Sequence, residues 1–166
     1  YYVMTNMHAA PVSFGGSEFL RVSVPPPFRA QTDRGGHIVE TLHANGMVRV
    51  TSLERTLVDL FNAPDLGGGW EEVWRSLDMV EFFDLDAVLD YAAKLGSAVT
   101  AARVGFYLEQ HREQLMVEDK YLKALQKLAP AGPRYFDAKR EGGKLHKTWN
   151  LIIPDHLAER SWAEVL

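Results

Sequence analysis

Cysteine is absent from the 166 residues. That excludes a disulfide, a thiolate metal site and a cysteine nucleophile. It fits a reducing compartment, and the cytoplasm is the expected location. Long apolar runs are missing as well. None approaches the ~20 residues that span a bilayer, so no membrane partner is expected, and no signal-peptide pattern opens the chain. The first residues are Tyr1 and Tyr2 rather than an initiator methionine, so the sequence reads as a fragment or processed product with something upstream. An excess of positive charge is also lacking: 18 Lys and Arg stand against 22 Asp and Glu, a formal −4 with a pI near 5.9. That argues against a nucleic-acid surface spread over the whole chain, while a local basic patch stays open. Apolar residues are 46% and aromatics 11%, enough to fill one core. Residues 1–166 are therefore expected to form a single domain.

Turns and periodicity divide the chain. Tyr1 to His8 could end a helix, stopped by Pro11 and Gly15-Gly16. Phe19 to Val24 alternates as a strand does, up to Pro25-Pro26-Pro27. His37 to Leu42 and Met47 to Thr51 read as strands, with an Asn45-Gly46 hairpin turn between them. Helices follow around Trp70 to Leu77, from Asp84 or Asp86 to Lys94 with Gly96 as stop, from Ser97 toward Leu115, and over 118–129. Trp149 to Ile153 is a late strand before Pro154, and 158–166 a short helix. Strands, then helices, then one strand predict an α+β fold. Its small mixed or antiparallel sheet is built from the early strands plus the late one, packed against the middle helices.

Residues 50–69 are the densest stretch. Thr51 or Ser52 can cap a helix, and Glu54 sits three after Thr51 as in a capping box. Leu53, Leu57, Leu60 and Phe61 share one face. Arg55 and Asp59 are expected as an exposed pair on the other, worth ~0.3–0.5 kcal/mol. Pro64 ends the helix. Gly67-Gly68-Gly69 suits positive φ or close backbone approach, and lacks the Gly-Lys-Ser/Thr ending of a phosphate loop.

Three pieces in order carry a family resemblance: Val50-Thr51-Ser52-Leu53-Glu54-Arg55-Thr56-Leu57-Val58-Asp59 with Pro64 and Gly67-Gly68, then Val104-Gly105-Phe106-Tyr107-Leu108-Glu109, then Lys147-Thr148-Trp149-Asn150-Leu151-Ile152-Ile153. The sequence resembles the AbiE-type (AbiEi) antitoxins, regulators of type IV toxin–antitoxin systems in abortive infection. Residues 7–36 match poorly, and Pro154 stands where the family has asparagine. The resemblance implies the C-terminal domain of such a protein. An upstream winged helix, absent here, would bind operator DNA and repress the operon. The domain itself would antagonise a nucleotidyltransferase-like toxin, directly or through the toxin's targets, without enzymatic activity or cofactor. The family motif falls on Thr51, Glu54, Arg55, Thr56, Asp59, Gly67 and Gly68.

Other chemistry is sparser. Arg29, Arg34, Lys139, Arg140, Lys144 and Lys147 form a basic patch if the late strand joins the early ones, able to meet DNA phosphate or an acidic partner. The bland reading of the same residues is a solvated loop. Asp137-Ala138-Lys139 contains the Asp-x-Lys fragment of some metal-dependent nucleases, which also need a second acid nearby; that is the alternative function. His37 and His43 lie ~20 Å apart along a strand, too far to share an ion with Glu40. Trp70 and Trp74 read as core.

Overall fold

In the computed structural model, residues 1–31, 36–43, 46–140 and 142–159 are described. The fold is α+β, with helices in the middle and strands toward both ends. The chain divides into two compact units, Tyr1–Gly36 and His37–Leu166.

In the first unit, β1 (Tyr2–Met4) runs parallel to β3 (Ser17–Val22), and β2 (Val12–Phe14) runs antiparallel to it. Tyr1 to Met4 is thus extended rather than the expected helix end. Aromatic and β-branched side chains favour a pleated surface, and the Tyr1 ring stacks on Phe19 at 5.1 Å between centroids. Gly15 and Gly16, at φ 58° and 77°, turn β2 into β3; two successive positive φ angles are what a two-residue hairpin turn requires. Past Pro25, a 3-10 turn over Pro26–Phe28 buries Phe28.

The second unit opens with a two-stranded ribbon, β4 (Ile38–His43) and β5 (Gly46–Thr51), paired from Ile38↔Thr51 to His43↔Gly46. Two residues separate the pair at its tip, as in a tight hairpin. Ala44 and Asn45, hence the Asn-Gly turn itself, lie outside the described residues. Then come α1 (Leu53–Asn62), a 3-10 turn over Pro64–Gly67, α2 (Trp70–Asp78), α3 (Leu85–Leu95), α4 (Ala98–Gln110) and α5 (Asp119–Leu128). The stops and starts follow local chemistry. Asp84 caps α3 through its side chain, Gly96 ends it at φ 68°, and Ser97 caps α4. Residues 118–129 stop before Pro130, which cannot continue a helix.

The last strands are β6 (Arg134–Tyr135), β7 (Lys144–His146) and β8 (Leu151–Ile153), in the order β6-β8-β7. The sequence leads one to expect the late strand to join the early ones; it does not. It finds a parallel partner in β6 and an antiparallel one in β7. Nearby partners need only short loops closed, which costs less chain entropy than a return across the whole sequence. A short helix α6 (Asp155–Ala158) follows; 160–166, where the sequence suggested helix, is outside the described residues.

The core of the second unit is aromatic. Phe61, Trp70, Trp74, Tyr107 and Phe136 pack with ring centroids 4.7 to 6.1 Å apart. Trp74 is fully buried and Trp70 nearly so. Burying rings of this size contributes several kcal/mol of the folding drive. Gly105, in the middle of α4, lies flat against the Trp149 ring; a Cβ there would enter the indole. Glycine costs helix stability, and this one is explained by the tryptophan that needs the space. Leu151 and Ile153 point into the same core.

Candidate functional site

The motif around α1 forms the first candidate site. Ser52 is the N-cap, its Oγ accepting from Arg55 N at 3.3 Å. The expected Thr51–Glu54 capping box is not made. Thr51 ends β5. Thr56 Oγ1 donates to Ser52 O at 2.8 Å, so the 2.7 Å contact between the two threonine hydroxyls has Thr51 as donor. Glu54 reaches α3 instead, where its Oε1 accepts from the backbone N of Asp84 at 3.3 Å. One of the donors left open at the start of α3 is thereby satisfied from α1.

Arg55 and Asp59 are not an exposed pair. Arg55 is fully buried and the Asp59 side chain is 17% exposed. Arg55 Nε donates to Asp59 Oδ2 at 3.3 Å, and its guanidinium lies 5.0 Å from the centroid of the Tyr91 ring. Tyr91 donates its hydroxyl to Asp59 Oδ1 at 2.9 Å. The reason is packing. Helix α1 is covered by α3 on one side and by α4 on the other, where Thr100 donates to Asn62 Oδ1 at 3.0 Å and Arg103 donates to Phe61 O at 2.8 Å. Two buried faces leave no outer face for the pair. Leu53, by contrast, is exposed.

Burial pushes the Asp59 carboxyl above its ordinary range, against the opposing pull of the Tyr91 hydroxyl and of Arg55. Burial, and then the Asp59 carboxylate, hold the Tyr91 hydroxyl well above its own, so it stays a donor. Next to this cluster, His37 Nε2 meets Asp90 Oδ2 at 2.7 Å and its ring stands edge-on to Tyr91. Lys94 and then His37 hold the exposed Asp90 carboxyl below its usual range. His37 is thus turned toward α3, while Glu40 faces Arg49 across the ribbon and His43 ends β4. Among the described residues no three His, Cys, Asp or Glu side chains gather as a metal site.

The glycines have separate tasks. Gly68 and Gly69 sit at φ 87° and 98°, the left-handed region that favours glycine. Gly67 is needed for room: a Cβ would come within 2.6 Å of Val73 Cγ2 and 2.9 Å of Leu60 Cδ2. Of the expected alternatives, positive φ holds at Gly68 and Gly69, while the close approach at Gly67 is to side chains rather than backbone.

A second cluster joins α2, α4 and the loop after β6. Trp70 Nε1 donates to Asp137 Oδ1 at 3.2 Å. Arg103 lies over the Trp70 and Phe136 rings, at 5.1 and 5.6 Å from their centroids. Burial pushes its guanidinium down to about 10, opposed by Asp137. Asp137 therefore faces an indole and an arginine. Among the described residues no group of three His, Cys, Asp or Glu side chains that could hold a cation forms around it.

The late strand does not join the early ones, so the premise of the expected basic patch is not met. Arg29 belongs to the first unit, where its Nε donates to Val24 O at 3.2 Å. Arg34 lies outside the described residues. Lys139 and Arg140 lie on the β6–β7 connection, Lys144 on the edge strand β7 and Lys147 just after it, all exposed. The physical reason is the sheet order, which keeps the late strands with one another.

Sequence reasoning missed three groups. Tyr91 gave a periodicity signal as a core residue of α3, but no sign of its bond to Asp59. Arg103 sits on a helix otherwise rich in Ala, Val and Phe, a signal for a buried cation. Glu109 accepts from Trp149 Nε1 at 2.7 Å and lies 3.6 Å from His146 Nε2; it belongs to the second family-like piece, and Trp149 to the third. The end of α4 also borders a shallow groove lined by 109–114. No family model, curated protein or solved structure matches the chain. Among the described residues, no helix is long and apolar enough to cross a membrane.

Proposed function

We propose that this chain is the C-terminal domain of an AbiE-type antitoxin and transcriptional regulator in the cytoplasm. It counters a nucleotidyltransferase-like toxin, while a winged helix upstream holds the operator DNA. The domain is a scaffold rather than an enzyme. The observation that supports this reading is the inward use of the motif. Thr51, Glu54, Arg55, Thr56 and Asp59 are spent on joining the ribbon, α1 and α3, and none of them is presented to a substrate. The groups left facing outward, Lys139, Arg140, Lys144 and Lys147, suit contact with a macromolecule. The test is removal of residues 1–166 from the full-length protein, followed by co-expression with the toxin and by operator binding in vitro. Protection is lost and some operator binding persists. Protection that survives the deletion would sink the reading.

The alternative is a metal-dependent nuclease acting through Asp137. Its bond to Trp70 disfavours it, since a carboxylate held by an indole gives up that bond to take a cation. Magnesium-dependent cleavage of nucleic acid by the wild type, abolished in Asp137→Ala, would establish the alternative.

A further inference from the structure

The charge of the chain is sharply segregated. Between Pro64 and Asp90 there are eight carboxylates and one cation, and all eight carboxylates are exposed. In their midst the α2–α3 connection displays two large apolar side chains, Met79 at 83% and Phe82 at 63% exposure. The connection is held at both ends, by Val80 N to Leu77 O at 3.0 Å and by Asp84 N to Glu54. Phe83 is buried and anchors it. The result is a fixed apolar knob with an acidic rim of Asp78, Glu81, Asp84 and Asp86.

The opposite surface lies on the β6-β8-β7 sheet. Tyr135 and Leu145 both register against Ile152, from its two sides. Register partners point to the same face, so Tyr135, Ile152 and Leu145 form one row across the sheet. That row is the outer one: Leu151 and Ile153 face the core, while Tyr135 is 42% and Leu145 45% exposed. Around it, 134–147 carries five cations against two acids; Arg134 and Lys144 register with Leu151 and Ile153 on the other face, and Lys139, Arg140 and Lys147, in the connections beside the sheet, are exposed. Within one molecule Asp78 pairs with His111 and Lys144 with Asp155.

We propose that the Met79/Phe82 knob of one copy docks on the outer face of the β6-β8-β7 sheet of a second copy, where Lys139, Arg140 and Lys147 flank the Tyr135/Ile152/Leu145 row. Apolar meets apolar at the centre and acid meets base at the rim, the usual anatomy of a protein interface. Knob and sheet are different patches, so the contact is heterologous and propagates head to tail into rings or short chains. It takes up the reading of the basic face as a contact surface, and it stands whether or not the partner toxin is as proposed.

Sedimentation of the purified chain over a concentration series tests it, with no toxin or DNA present. Average mass rises with concentration at low salt and falls back toward the monomer at about 0.5 M salt, because the rim charges are screened. Met79→Ser/Phe82→Ser and Lys139→Glu/Lys147→Glu each weaken self-association about tenfold or more, the usual effect of losing an interface's central anchors or charges. An equal mixture of the two forms a dimer that goes no further, since each variant supplies one intact surface. Glu81→Lys/Asp86→Lys alters only exposed side chains and reproduces the loss if the apolar variant fails to fold. A wild type that stays monomeric throughout, variants that associate as the wild type does, or a mixture that stays monomeric would each overturn the proposal.

Discussion

Removing the Asp59 carboxylate should leave the Arg55 guanidinium charged, fully buried and short of its counter-ion. Arg55 is 0% exposed, and the carboxylate lies 3.3 Å from its Nε. An exposed pair at this spacing is worth ~0.3–0.5 kcal/mol. Breaking a buried pair from one side costs about 3–5 kcal/mol, mostly for the charge left behind, offset in part here because the desolvation that raises the Asp59 pKa is relieved at the same time. Tyr91 also loses the acceptor at 2.9 Å, one hydrogen bond worth about 1 kcal/mol. Against a total stability of ~5–15 kcal/mol for a domain, Asp59→Ala should lower the melting temperature by on the order of 10 °C. The comparison variant is Arg55→Met/Asp59→Leu, which removes both charges at similar volume and should cost less than Asp59→Ala alone. Urea unfolding followed by fluorescence of the buried tryptophans, with circular dichroism as a second probe, measures both. A loss below about 1 kcal/mol in Asp59→Ala, as for a solvated pair, would refute the argument. So would a double variant that is worse than the single one.

Gly105→Ala should be destabilising by at least about 1–3 kcal/mol, the usual cost of overpacking, because its Cβ meets the Trp149 ring; Gly132→Ala, with open space around it, is the neutral control in the same thermal melts. Gly68→Ala places a side chain at φ 87° and should cost about 1–3 kcal/mol by chemical denaturation. Asp59 has a folded pKa above its ordinary 3.8, so the folded state holds the proton more tightly than the unfolded chain. Its contribution is fully present below 3.8 and is lost as pH rises through the folded value; the stability gap between wild type and Asp59→Asn should therefore narrow with rising pH in urea titrations, and a gap that widens would contradict this. Trp70→Phe frees Asp137 from its indole bond and should cost about 1–2 kcal/mol in the same titrations.

Much of the helical framework was legible because its signals are local. Ser52, Asp84, Ser97, Gly96 and Pro130 each act within one turn of the residue that reveals them. The α+β class followed from the order of the segments. What could not be read were the distant partners. Glu54 has the spacing of a capping box, and only the approach of α3 shows that it serves Asp84. Arg55 and Asp59 have the spacing of a solvated pair, and a single helix gives no hint that both its sides will be covered. The sheet order was misread for a related reason: β6 is only two residues long, too short to show the alternation by which strands are recognised, so β8 was assigned to the nearest visible strands. The expected grouping of Arg29 with the late lysines rests on the same assumption about β8.

β8 is the one strand shared by the other two of its sheet, and Trp149 stands just ahead of it. While the chain is being made, α4 emerges with its notch at Gly105 vacant, and β6 and β7 emerge with nothing to pair with. All three wait for residues 149–153. A ribosome that stalls near residue 148 would thus hold a nascent chain whose helices are made but whose aromatic interior is uncapped, a species that proteases and chaperones would recognise before the finished protein exists.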